Sequence, residues 1–364
     1  MNKYDQLADL GQAVWLDFIR RSFIISGELE HLIQEGVRGV TSNPSIFEAA
    51  IAGSADYDQD IRQLAEAGKS VNEIYETLAL EDIRQAADIL RPVYDRTHGN
   101  DGYVSLEVSP TLANDTFATI SEAGRLFNEL DRPNIMIKIP ATPEGIPAIE
   151  TVISQGINVN VTLIFSVEHY ESAARAYIAG LEKFTASDGN PSKIASVASA
   201  FVSRVDTAVD RQLAELGEDS LLGKIAVANA KIVYARFKDI FLGDRWERLA
   251  GQGARLQRPL WASTGTKNPA YSDTLYVDSL IGPHTVNTLP PATLAAFIDH
   301  GSPTLTLETG LDEARSDLSR LNEIGVDLSA VTQGLQDDGV GAFTKSFESL
   351  MGSIAEKTAK LSKY

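Results

Sequence analysis

The chain has no cysteine among its 364 residues. Disulfides, thiolate metal sites and a cysteine nucleophile are thereby excluded, and the composition suits a reducing cytoplasm. Positive charge is scarce: 32 Lys plus Arg stand against 50 Asp plus Glu, a formal net charge of −18. Such a field repels nucleic acid and anionic membrane surfaces, so neither is an expected partner. An anionic small substrate fits only where a few cations converge locally in a cleft. The five histidines (His31, His98, His169, His284 and His300) show no paired spacing, which argues against a catalytic metal. No stretch of about 18 uncharged apolar residues occurs, and Met1-Asn2-Lys3-Tyr4-Asp5 lacks the apolar core of a secretion signal. Nucleotide and hydrolase motifs are missing as well. Thr264-Gly265-Thr266-Lys267 has the wrong spacing for a phosphate-cradling loop, no Gly-x-Gly-x-x-Gly follows the first strand, and no Gly-x-Ser-x-Gly is present. The expectation is a soluble, cytoplasmic protein.

What is present is an alternation. Short apolar runs at 14–18, 39–42, 103–108, 135–141, 157–165, 194–201, 258–263 and 274–281 read as strands. Amphipathic segments such as 27–34, 115–130, 167–184 and 203–216 lie between them. Asn114 and Ser166 read as N-caps, and Gly36 and Gly156 as helix stops. Alternating β and α units imply a parallel sheet, and eight of them imply a closed (β/α)8 TIM barrel, with an open doubly wound sheet as the competing arrangement. Two helical insertions, near 45–100 and 218–257, break the rhythm. A last helix is expected over 337–363. The whole chain, 1–364, reads as a single domain.

One strand carries a lysine: Ile135-Met136-Ile137-Lys138-Ile139-Pro140-Ala141. Lysine is costly to bury, and desolvation pushes its pKa down and frees a lone pair. A neutral amine in a pocket can attack a ketone and form a Schiff base, the electron sink for breaking a carbon–carbon bond. A strand-end lysine that snorkels to water is the other reading of this segment. Other strand ends are polar too, with Asp17, Thr41, Ser42, Asn43, Glu107, Asn158, Asn160, Thr162, Ser199 and Ser263. A single buried polar group is usually structural. Two carboxylates and a lysine converging on the rim where barrel active sites lie are harder to explain as packing. Asp17 and Glu107 could then divide acid and base roles between different environments.

Taken together the segments resemble transaldolase. The matching stretches are Trp15-Leu16-Asp17, Gly39 to Phe47 with Thr41-Ser42-Asn43-Pro44, Ser105-Leu106-Glu107-Val108, Lys138-Ile139-Pro140-Ala141-Thr142 and Asn158 to Leu163. Phe201 to Asp206 and Trp261-Ala262-Ser263-Thr264 follow in family order. The resemblance implies transfer of a dihydroxyacetone unit between sugar phosphates: sedoheptulose 7-phosphate and glyceraldehyde 3-phosphate give erythrose 4-phosphate and fructose 6-phosphate. It implies Lys138 as the Schiff-base residue and Asp17 as the base at the C4 hydroxyl. Glu107 with Thr162 would handle protons through a water. Asn43, Asn160 and Ser199 would bind the triose hydroxyls, Arg204 the phosphate, and no metal or organic cofactor takes part. One branch of the family has an arginine where this chain has Gly265. Here Lys267, with Ser263, is the alternative second phosphate ligand, as in a longer branch. An aldolase of the same family that releases free dihydroxyacetone is the alternative activity, disfavoured because Phe201 stands where such aldolases carry tyrosine. A non-catalytic sugar-phosphate-binding barrel is disfavoured because Asp17, Glu107 and Lys138 are all present. The resemblance leaves monomer and homodimer open.

Overall fold

The computed structural model describes residues 2–361. Eight strands form a closed parallel ring in chain order. They are β1 (Gln12–Asp17), β2 (Gly39–Thr41), β3 (Tyr103–Glu107), β4 (Ile135–Pro140), β5 (Val159–Ile164), β6 (Ser196–Phe201), β7 (Gln257–Ala262) and β8 (Thr285–Leu289). The ring closes where β1 pairs with β8, from Gln12 opposite Thr285 to Leu16 opposite Leu289. This is the expected (β/α)8 barrel. Among the described residues, no helix is long and apolar enough to cross a membrane.

Seven strands fall where the apolar runs place them, but the eighth does not. The run 274–281 contains the short helix Leu275–Asp278, and β8 begins at Thr285. Asp278 accounts for the difference. Its carboxylate accepts from Thr274 Oγ1 at 2.7 Å one turn back and from Ser302 N at 2.8 Å, which winds the segment. Gly282 and Pro283 then lead to His284 at φ 61°, and only beyond it does the chain extend. The N-cap expected at Asn114 is Asp115, whose Oδ1 accepts from Ala118 N at 2.9 Å. Gly36 caps its helix, and Ser166 caps the helix Val167–Ala186.

The first insertion holds the helices Pro44–Ala52, Asp58–Glu66 and Val71–Arg96, the last opened by a reciprocal Ser70–Glu73 capping box. The second holds Ile225–Phe241 and the shorter Asp244–Ala250. The last helix, Leu328–Leu361, starts earlier than its sequence signal at 337 and packs against Pro44–Ala52. Lys363, the expected end, lies outside the described residues.

Apolar side chains fill the layer between barrel and helices as one continuous cluster. The barrel interior is more polar. Gln12 Nε2 donates to Thr285 Oγ1 at 2.9 Å, Gln257 Nε2 to Ser196 Oγ at 2.9 Å, and Asn160 Nδ2 to Ser105 Oγ at 3.1 Å. Each of these amide nitrogens is paired, as buried donors generally are, while Gln12 Oε1 and Gln257 Oε1 have no hydrogen-bond partner. These pairings orient the strand ends above them.

Candidate active site

Asp17 and Glu107 are the final residues of β1 and β3, and Lys138 lies opposite Glu107 in β4. All three therefore meet at the C-terminal rim of the ring, where a barrel places its chemistry. Lys138 is only 4% exposed. Its Nζ donates to Ser42 O at 3.2 Å, sits 3.7 Å from Glu107 Oε2 and lies 5.9 Å from the centroid of Phe343. The lysine does not snorkel to water. It is held beneath an aromatic lid contributed by the last helix.

Gln336, a turn or two earlier on that helix, anchors the lid. Its Nε2 donates to Ala141 O and Leu163 O, both at 3.0 Å. Leu163 takes φ 57° where the β5–β6 register shifts, which turns its carbonyl toward this contact.

Burial pushes the Glu107 carboxyl up to about 7, against the opposing pull of the Lys138 charge. At 3.7 Å the ammonium is too distant for a hydrogen bond, and Glu107 Oε2 has no hydrogen-bond partner. Burial also raises Asp17, while Lys138 and a hydrogen bond from Thr41 hold it down. Thr41 Oγ1 donates to Asp17 Oδ1 at 2.6 Å and lies 2.6 Å from Thr288 Oγ1. Since Thr41 has one hydroxyl proton, Thr288 must donate to it. The row Thr288–Thr41–Asp17 is thus a relay that ends in a single hydrogen bond to Asp17 Oδ1 and leaves Oδ2 free to take a proton. Sequence reasoning passed over both threonines in this role.

A cavity of about 200 Å³ opens above these groups. Asp17, Asn43, Lys138, Ser199, Arg204, Ser263 and Lys267 all line it, as do Phe201 and Phe343. Of the expected site residues, Glu107, Asn160 and Thr162 do not. Asn160 is fully buried with its amide engaged at both ends, donating to Ser105 and accepting from Ser199 Oγ at 2.7 Å. It holds Ser199 in place from below. Thr162 is buried with Oγ1 unpartnered. Asn43 has two duties, because its Oδ1 caps the helix Pro44–Ala52 by accepting from Ile46 N at 3.0 Å. Its amide nitrogen remains for a ligand.

The cationic end of the cavity is built on the helix Ser203–Leu216, whose first turn has no side-chain cap. The helix dipole favours an anion there, although Ser203 N and Val205 N already donate to Ser263 O and Val202 O, both at 3.0 Å. Arg204 stands in that turn with its guanidinium 5.3 Å from the Phe201 ring, and burial depresses its pKa. Among the described residues it forms no ion pair. Asp206, the alternative partner, is turned away: Ala226 N at 2.6 Å and Tyr276 OH at 2.8 Å occupy it. Ser263, at φ 55°, shares a hydrogen bond of 2.9 Å with Ser203. A Cβ at Gly265 would lie 2.8 Å from Thr293 Oγ1, so this backbone leaves little room for an arginine. Lys267 is exposed and lines the edge of the cavity.

The fold and site define a (β/α)8 barrel organised around a buried lysine, two carboxylates and a cationic anion pocket. The profile of the family described as Transaldolase/Fructose-6-phosphate aldolase matches residues 14–354. A relative from Trichodesmium erythraeum named Transaldolase is 50% identical over 370 residues, covering 98% of this chain and 97% of its own. Another of that name, from Thermobifida fusca, is 51% identical over 359 residues, covering 97% and 98%. The chain belongs to the transaldolase/fructose-6-phosphate aldolase family.

Proposed function

We propose that this chain is a transaldolase that moves a dihydroxyacetone unit from a ketose phosphate to an aldose phosphate through a Schiff base on Lys138. The family and its relatives make it a transferase. The observation that carries the site assignment is the burial of Lys138 between Glu107 and Phe343, at the floor of a cavity whose far end holds Arg204. The Lys138 lone pair attacks the C2 carbonyl, and loss of water leaves a protonated imine. Asp17 takes the C4 hydroxyl proton, the C3–C4 bond breaks, and the aldose phosphate departs. The enamine left on Lys138 then adds to the incoming aldehyde, and Asp17 returns the proton. Hydrolysis releases the new ketose phosphate. With sedoheptulose 7-phosphate and glyceraldehyde 3-phosphate the products are erythrose 4-phosphate and fructose 6-phosphate.

Ser199 and Asn43 hold the triose hydroxyls, with Asn160 fixing Ser199. Arg204, Ser263, Lys267 and the positive end of the Ser203–Leu216 helix dipole hold the phosphate. Phe201, 8% exposed and packed 5.2 Å from Phe165, offers no hydroxyl to orient a hydrolytic water, which supports transfer over release of free dihydroxyacetone. The whole chain acts as one catalytic domain, and the cysteine-free composition supports a cytoplasmic setting.

Borohydride reduction with fructose 6-phosphate, followed by peptide mass mapping, tests the reading. One triose unit is expected on Lys138 and on no other lysine. Lys138→Arg should abolish labelling, because a guanidinium stays charged and cannot attack. Label elsewhere, or an active enzyme without label, overturns the mechanism.

A further inference from the structure

Glu107 faces two ways. On one side is Lys138; on the other is a second cavity, of about 360 Å³. Its walls come from the helices Pro44–Ala52, Val71–Arg96 and Thr116–Leu130, with apolar side chains such as Phe47, Leu80 and Leu126. Its mouth is at Asn72 and Thr111, both exposed. Its inner end is Glu107, with a side chain only 5% exposed and an Oε2 that has no hydrogen-bond partner. Asp17, Lys138 and Arg204 line the first cavity and not this one, while Asn43 lies between the two and lines both.

The reaction needs such a route. Each turnover expels one water as the imine forms and takes one up as it hydrolyses. The first cavity, of about 200 Å³, is the one a bound ketose phosphate fills. The second cavity, of about 360 Å³, is the larger of the two and reaches solvent at Asn72 and Thr111.

Building on the assignment of Lys138 as the Schiff-base residue, we propose that this second cavity is the water and proton port of the reaction, with Glu107 as its inner gate. In the forward direction Glu107 gives its proton to the hydroxyl of the carbinolamine on Lys138. The C–O bond breaks, the nitrogen lone pair forms the C=N bond, and water leaves past Glu107. The carboxylate regains a proton from water in the port. Hydrolysis runs the same steps backwards, with Glu107 drawing the proton from the incoming water as it adds to the imine carbon.

The test is to plug the port without touching the substrate cavity. Leu126→Trp fills it from the wall, and Asn72→Trp covers the mouth from an exposed position outside the core. The readout is loss of ¹⁸O from C2-labelled fructose 6-phosphate, followed by mass spectrometry on the full chain without acceptor. Leu126→Trp should slow exchange at least tenfold while the KM for fructose 6-phosphate stays within twofold. Should Leu126→Trp not fold, Asn72→Trp decides, with at least a threefold slowing expected. Exchange at the parental rate in the folded variant, or a KM rise that matches the lost rate, overturns the port. Borohydride labelling of Lys138 in the parent separates the two readings. If it is present, parental exchange removes only the port; if it is absent, the lysine assignment fails first.

Discussion

On the proposed assignment, Arg204 is a charge whose cost to the fold is recovered when an anion arrives. It is half-buried at the cavity wall, forms no ion pair among the described residues, and its pKa is depressed by burial. Uncompensated burial of a cation destabilises the free protein. Replacing Arg204 with methionine keeps much of the contact with Phe201 and removes the charge, so two opposite effects are expected. Urea unfolding of the free protein should show Arg204→Met to be more stable than the parent. Kinetics should show the reverse: a charge-assisted hydrogen bond contributes ~1.5–3 kcal/mol, so kcat/KM for fructose 6-phosphate should fall about tenfold to about 150-fold. Most of that fall should be in KM, because the phosphate is equally bound in ground and transition states. Unphosphorylated fructose, which leaves this end of the cavity empty, should change less than twofold. Equal losses with both donors would falsify the phosphate assignment, and a less stable variant would show that Arg204 supports the fold instead.

Three further outcomes follow from the same geometry. Asp17→Asn should still be labelled at Lys138 by borohydride but should lose ~10²–10⁴-fold in kcat, the usual worth of a general base; turnover within a few-fold of the parent would remove that role. Thr41→Val deletes the 2.6 Å hydrogen bond to Asp17 and should lower kcat by about tenfold with labelling intact, whereas an unchanged kcat would make the threonine row incidental. The folded-state pKa of Glu107 is raised to about 7 from 4.5, so between those values the folded state keeps a proton that the unfolded state has lost. Stability must therefore fall as pH rises through this window, by up to about 3 kcal/mol. Glu107→Gln should flatten the difference between urea unfolding at pH 5 and pH 8, and an unaltered slope would locate that pH dependence elsewhere.

The sequence was most legible where local pattern and tertiary role agree. Lys138 stands out because every other residue of β4 is apolar or proline, and that strand is buried throughout. The eighth strand was misplaced for the opposite reason. Thr285-Val286-Asn287-Thr288-Leu289 carries threonines and an asparagine, because the barrel interior it borders is polar, and so it looks less like a strand than 274–281 does. Partners remote in sequence were beyond local reasoning. Nothing near Lys138 announces that Phe343 will cover it, and nothing near Asp17 announces Thr288, which lies on the neighbouring strand of the ring but at the far end of the chain. Asp206 misled in another way. Two residues from Arg204, it reads as an ion-pair partner, yet the first turn of the helix sends the two side chains apart.

Closure of the strand ring also bears on how activity is acquired. Asp17 belongs to β1, Thr288 to β8, and between them the chain travels through every other strand before the two threonines and the aspartate can meet. No contiguous segment contains both the proposed base and its two threonines. Joining β1 to β8 is the contact of greatest sequence separation in the ring, and bringing such distant segments together is slow. During refolding, helical signal and burial of tryptophan should return before turnover does. The clock for catalytic competence is the final seam between β8 and β1, so a rate of reactivation is at the same time a rate of barrel completion.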